Sequence, residues 1–357
     1  MRTSMWKKFR LLCLAAGSLA VLLTGCGDDP ASPGDSKATQ AITIVVTTNI
    51  LGDVVENMVG DQFVVETIMP VGADPHVFQA SAKDVSSIMN ADVLIVNGAN
   101  FEEGLVDIIE AARGDGVLIF EAISAVETLD FGDHDDHGDE DDHGDEDDHG
   151  DEDDHGDEDD HGDEDDHGDE DDHDDHGHNG VDPHFFNDPL RMAQVVDSLS
   201  DFLITNVKGI DSDALADASK KYVDAIKALD VEIVEMFSLL PLAERVLITN
   251  HEVFGYFAER YEFEVLGTII PTGSTLDSTN AKELVELVEV IKSQNVKAIF
   301  SDVSASNKLA DTLAQEVGEI RVVELFSESL GLDNTDASTY LDMQYANSSR
   351  IAEALRR

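Results

Sequence analysis

Cysteine is all but missing from this chain: Cys13 and Cys26 are the two in 357 residues, and none follows. The body beyond them has no disulfide and no thiolate, so any metal chemistry there falls to histidine and carboxylate. Basic residues are scarce as well, with 22 Lys and Arg against 77 Asp and Glu and a formal charge of −55. A surface of that sign repels phosphate backbones and anionic headgroups and gathers cations, which excludes nucleic acid as a partner. Long apolar runs are missing too. The stretch Leu11 to Leu23 has 13 residues, short of the roughly 20 that a permanent membrane helix needs.

That stretch has another reading. It follows Arg2, Lys7, Lys8 and Arg10 and ends in Leu23-Thr24-Gly25-Cys26, the layout of an export signal over residues 1–26. Small residues before a cysteine resemble the bacterial lipobox, in which Cys26 is lipidated and becomes the new N-terminus; the alternative is an ordinary cleaved signal with a chance cysteine. Residues 27–40 are mostly Gly, Asp, Pro, Ser and Lys and read as a flexible tether.

From residue 41 onward, short β-branched runs alternate with helical patterns: ITIVVTT, LGDVVENMVG, FVVETIMP, AKDVSSIMN, DVLIVNG, FEEGLVDIIEAARG and GVLIF. The rhythm returns in RVLITN, VFGYFAERY, EVLGTII, AKELVELVEVIKSQN, KAIFSD, NKLADTLAQEVG, RVVELF and a closing helix near Ala337 to Leu355. Such alternation implies crossover units and parallel sheets flanked by helices. The expected fold is α/β in two lobes, 41–210 and 241–357. Between them Leu215, Tyr222, Ile226, Leu229, Ile233, Phe237 and Leu240 recur at spacings of three, four and seven without Gly or Pro. That pattern predicts one long linking helix over 211–240.

The first lobe is interrupted by an acidic run over 133–178, in which Asp-Glu-Asp-Asp-His-Gly occurs five times in succession. The run holds 29 of the acidic residues and ten of the 13 histidines: His134, His137, His143, His149, His155, His161, His167, His173, His176 and His178. With no large apolar residue to bury and like charges throughout, it is expected to be a disordered loop. Glycine in every repeat leaves no prebuilt coordination sphere, so weak, multi-site, pH-sensitive zinc binding is expected of it, against the plainer reading of a solvating acidic loop.

Three histidines remain: His76 in VGADPHVF, His184 in VDPHFFNDP and His251 in ITNHEVFGYF. An isolated histidine is more often a surface or satisfied core residue than a ligand. These three, however, all stand at predicted strand ends or helix starts, where sheet proteins of this kind place ligand sites. Two of them follow Asp-Pro, which fixes the backbone ahead of the imidazole; the bland alternative is a pair of ordinary turns begun by Asp.

The elements GADPHVFQASAKD, DPHFFNDP, TNHEVFGYFAERY, IFSDVSASNKLADTLAQEVG and LFSESLG followed by YLDMQYANSSRIAEAL together resemble the zinc and manganese solute-binding lipoproteins of bacterial ABC importers, closest to the zinc receptors. The resemblance implies two α/β lobes joined by one long rigid helix, with the metal in the cleft between them. It implies His76, His184 and His251 as ligands and a fourth ligand at Glu328, where family members often have Asp; Asp302, Ser327 or water are the alternatives. Phe186 stands where the family has Trp, and 80–82 lacks a common proline.

Three imidazoles and one carboxylate suit tetrahedral Zn²⁺, whereas manganese prefers oxygen-rich sites and its receptors tend to have a carboxylate where this chain has His251. The expected function is therefore extracytoplasmic capture of Zn²⁺, as transported ligand, by a monomer anchored to the membrane through Cys26, and delivery to an ABC permease. The same receptor for manganese is the runner-up, and an adhesin-like surface role fits less well. A zinc hydrolase would need a general base; Glu252 is the candidate, but no His-Glu-x-x-His or other hydrolase motif accompanies it, and its plain role is to start the following helix.

Overall fold

β-Branched runs form strands here because crossover helices cover both faces of each pleat. The computed structural model describes residues 42–131, 180–318 and 320–356. The export signal with Cys26, the tether and the acidic run with its ten histidines lie outside the described residues.

The first lobe runs β1 (Ile42–Val46), α1 (Asn49–Val59), β2 (Phe63–Thr67), α2 (Ala82–Met89), β3 (Val93–Val96), α3 (Val106–Gly114) and β4 (Leu118–Glu121). Its strands form one parallel sheet in the order β2-β1-β3-β4. Ile44, Val46, Val93 and Ile95 enter one core, while Val45, Leu94 and Val96 enter a second on the opposite face, the period of two expected of strands buried on both sides. The strand order reverses between β1 and β3, which opens a crevice beyond their C-terminal ends.

Two helices follow, α4 (Pro189–Asn206) and α5 (Ser212–Phe237). Asp211 caps α5 by accepting from the Ala214 N–H at 3.1 Å. The helix ends three residues earlier than the apolar spacing predicts, because Arg245 collects the carbonyls of Phe237 and Leu240 at 3.1 and 3.4 Å and turns the chain there. Its 26 residues extend about 39 Å. Leu215, Tyr222 and Ile226 pack into the first-lobe core, and Leu229, Ile233 and Phe237 into that of the second.

The second lobe comprises β5 (Val246–Thr249), α6 (Gly255–Tyr261), β6 (Glu264–Thr268), α7 (Ala281–Ser293), β7 (Ala298–Asp302), α8 (Lys308–Val317), β8 (Arg321–Leu325) and α9 (Tyr340–Arg356). Its strands are hydrogen-bonded as two parallel pairs, β5 with β6 and β7 with β8. α9 also serves two cores, with Tyr340 and Met343 in one and Ile351 and Leu355 in the other. The described residues accordingly form one compact unit.

Candidate metal centre

The two Asp-Pro-His loops have the same backbone solution. Asp74 Oδ1 accepts the His76 N–H and Asp182 Oδ1 the His184 N–H, each at 2.9 Å, so each aspartate closes a turn over its proline. The ordinary turn and the presentation of the histidine are thus compatible, since the turn that each aspartate closes carries the imidazole. His251 lies just past β5, its carbonyl accepting from Thr249 Oγ1 at 2.9 Å. Glu328 follows β8 in a loop held at three points: Phe326 N–H donates to Asn347, Ser327 N–H to Asp302 and Leu330 N–H to Asn49, at 2.9, 3.0 and 2.8 Å.

These elements bring His76, His184, His251 and Glu328 together, all buried, with one possible ligand atom from each within 4.8 Å of the others. Glu328 Oε1 lies 2.7 Å from His76 Nε2, 3.2 Å from His251 Nε2 and 3.4 Å from His184 Nε2; the last contact is too poorly aligned to be a hydrogen bond. Four donors about 2.0–2.2 Å from one ion lie about 3.4 Å apart, which is the scale of this group. Two lobes contribute two residues each.

Behind the rings the support differs. Asp182 Oδ1 also meets His184 Nδ1 at 2.7 Å, whereas His76 Nδ1 meets Glu103 Oε1 at 2.9 Å. His251 Nδ1 and Glu328 Oε2 are buried without a hydrogen-bond partner among the described residues. Phe101 and Phe186 pack against the His184 ring at centroid distances of 5.5 and 6.0 Å, so Phe186 is part of the apolar wall. Phe101 and Glu103 are delivered by an unusual turn after β3: Gly98, Ala99 and Asn100 all have positive φ, at 91°, 50° and 57°. An alanine in that region costs about 1–2 kcal/mol, a strain of the kind that clusters at functional sites.

Burial pushes the Glu328 carboxyl up, but His251, His184 and His76 outweigh it and hold it well below the usual carboxylate range. Burial likewise opposes a charge on His76, yet its bonds to Glu103 and Glu328 raise it to about 10. His184 is raised by Asp182 and Glu328 against burial. Without a metal, the centre is therefore a carboxylate beside a protonated His76 and a His184 that holds its proton more tightly than usual.

Asp302, an alternative to Glu328, is not among the four grouped residues. Asp302 is buried and engaged by Ser304 and by both the backbone and hydroxyl of Ser327, where it fixes the residue before Glu328. Glu252 lines a separate cavity of about 230 Å³ with Asp182 and Phe254. Helix α6 begins only at Gly255 with no side-chain cap, so Glu252 does not occupy its first turn, contrary to the plain role expected for it. Sequence reasoning passed over Glu103 and Asn49, whose contacts 27 and 281 residues away have no local pattern.

The profile of the family described as "Zinc-uptake complex component A periplasmic" matches residues 44–354. The manganese-binding lipoprotein MntA of Halalkalibacterium halodurans is 23% identical over 329 residues, 92% of this chain and 93% of that protein. The zinc-binding protein TroA of Treponema pallidum is 25% identical over 330 residues, covering 90% and 92%. The solved structure of the Treponema pallidum periplasmic zinc-binding protein superposes with a TM-score of 0.71 at 23% identity, over 89% of this chain and 100% of that one.

Proposed function

Because this chain belongs to the zinc-uptake complex component A family, we propose that it captures Zn²⁺ between its lobes and hands it to the permease of an ABC importer. The family is one of metal-binding receptors of ABC importers, not of enzymes. In this reading His76, His184, His251 and Glu328 are the ligands of the transported ion. The observation that carries it is the convergence of three buried imidazole nitrogens on one buried carboxylate oxygen, two residues coming from each lobe. Three imidazoles with one carboxylate form the donor set of tetrahedral Zn²⁺. The ion displaces the proton that His76 holds and takes over neutralising Glu328. Release follows when the permease draws the lobes apart, since neither lobe alone retains more than two ligands.

A manganese receptor is the second reading, favoured by the manganese-binding relative and by Glu328 Oε2, which has no hydrogen-bond partner among the described residues and is available as a second oxygen ligand. Competitive titration of the purified protein with Zn²⁺ and Mn²⁺ under native mass spectrometry separates the two. One tightly held zinc that excess manganese does not displace supports the first. Manganese retained against zinc sinks it.

The receptor is further assigned to the extracytoplasmic side of the membrane, as a monomer anchored through a lipidated Cys26, which mass analysis of the membrane-extracted protein tests. The acidic run is assigned an accessory role, binding further zinc weakly through histidines set six residues apart. Deleting 133–178 is expected to lower the number of zinc ions bound at saturation and to leave the tight one; an unchanged total overturns that role.

A further inference from the structure

Glu103 has two partners that belong to different lobes. Its Oε1 accepts from His76 Nδ1 at 2.9 Å and from the Ser274 hydroxyl at 2.5 Å. A carboxylate oxygen has the lone pairs for both. Ser274 lies in the segment 271–276 after β6, and the next residue repeats the pattern: Thr275 Oγ1 donates to Asp74 Oδ2 at 2.7 Å, while Asp74 Oδ1 holds the His76 N–H. Both the ring and the backbone of His76 are therefore held by carboxylates whose remaining bonds go to consecutive residues of the other lobe. The same segment borders the open cavity of about 890 Å³ that reaches His76, together with Glu103 and Phe131. Gly273 lies so close to the Phe131 ring that an added Cβ would overlap it. Glu103 itself is about one-third exposed, at 34%, unlike its neighbour Glu102, which is fully buried and accepts from Thr47 and the Asn97 N–H.

We propose that Glu103 is the positioning residue that couples closure of the 271–276 segment over the cleft to the orientation of His76, making the segment the latch that sets the rate of metal release. This deepens the receptor reading above and rests on His76 being a ligand. The partner of the distal ring nitrogen fixes which nitrogen faces the metal and strengthens the ligand. In the latched state Glu103 points its oxygen at Nδ1 and leaves Nε2 for the ion. When the segment lifts, Glu103 and Asp74 lose their second-lobe donors together, Glu103 is free to turn into solvent, and His76 loses its orienting partner while the cavity widens.

Two measurements test this, one of them without metal. Hydrogen exchange of 271–276 in the metal-free protein reads the latch directly: Glu103→Ala is expected to speed it about tenfold or more, and Glu103→Gln, which keeps an acceptor oxygen, to restore much of the protection. Transfer of zinc to an excess of chelator reads the coupling. Ser274→Ala with Thr275→Val is expected to release zinc about three- to tenfold faster with stoichiometry unchanged, and Glu103→Ala to weaken affinity about 10- to 100-fold. Wild-type exchange in Glu103→Ala, or wild-type release in the double variant, overturns the proposal. Wild-type protein that binds neither zinc nor manganese sinks the receptor reading instead, and the exchange arm still decides whether the latch exists.

Discussion

Asp74-Pro75-His76 and Asp182-Pro183-His184 are the same tripeptide in the same turn, yet they hold their rings in opposite ways. Asp182 serves both the backbone and the ring of His184 from one oxygen, within a wall of phenylalanines. Asp74 serves only the backbone of His76, and the ring is left to Glu103, which is partly exposed and tied to the other lobe. Identical local sequence thus yields one ring held by its own loop and one held by a residue that is also bonded to the other lobe. Under the proposed reading, His184 is the permanent half of the first-lobe pair and His76 the conditional half.

The comparison is broken most severely by His184→Ala. That change leaves buried Glu328 with one fewer imidazole, so tight zinc binding is lost and the metal-free protein is destabilised by about 3 kcal/mol, measurable by denaturant unfolding. Metal removal comes next: zinc at 100 times its dissociation constant adds about 2.7 kcal/mol of stability, which a chelator abolishes in thermal melts. Asp182→Asn is expected to weaken zinc about 10- to 100-fold in equilibrium titration without changing the exchange of 271–276, whereas a change at Glu103 alters both. Asp74→Asn, which keeps an acceptor for the His76 N–H, is expected to shift affinity by only about twofold.

Acidity sharpens the same contrast. His76 is raised to about 10 and His184 is raised as well, so His76 holds a proton at neutral pH that zinc binding is expected to expel; apparent affinity is therefore expected to rise with pH, and loading in weak buffer to acidify the solution. For stability the sign is opposite. A raised histidine contributes fully below about 6.5, its unfolded value, and that contribution is lost as pH climbs through about 10. Glu328, held low, contributes above about 4.5 and is lost in acid. Metal-free protein is expected to melt lower at pH 10 than at pH 7, with the loaded form much less affected.

Much of this was legible because its signals are local. β-Branched runs between amphipathic segments gave the alternation, and the spacing of Leu215 through Phe237 gave α5. The 18-residue helix α4 was not picked out, although Asp188 capping the Leu190 N–H, with Pro189 in the first turn, is a start signal plain in the sequence. The three site histidines stood out by position. What stayed hidden depends on distant pairing: Glu102 and Glu103 are adjacent and alike, and only the left-handed turn at 98–100 sends one into the core and the other to His76. The absence of a hydrogen-bond partner for His251 Nδ1 among the described residues is equally invisible without coordinates.

The stripe of α5 divided between two cores bears on any attempt to take the molecule apart. A chain cut near Lys227 would give one fragment the helix face of Leu215, Tyr222 and Ile226 and the other that of Leu229, Ile233 and Phe237. The first half would also lose Tyr340 and Met343 from its core, because α9 belongs by sequence to the second fragment. Neither piece is a self-sufficient module. Fragments of this receptor are expected to be soluble only when produced together, and the intact chain to melt in a single transition.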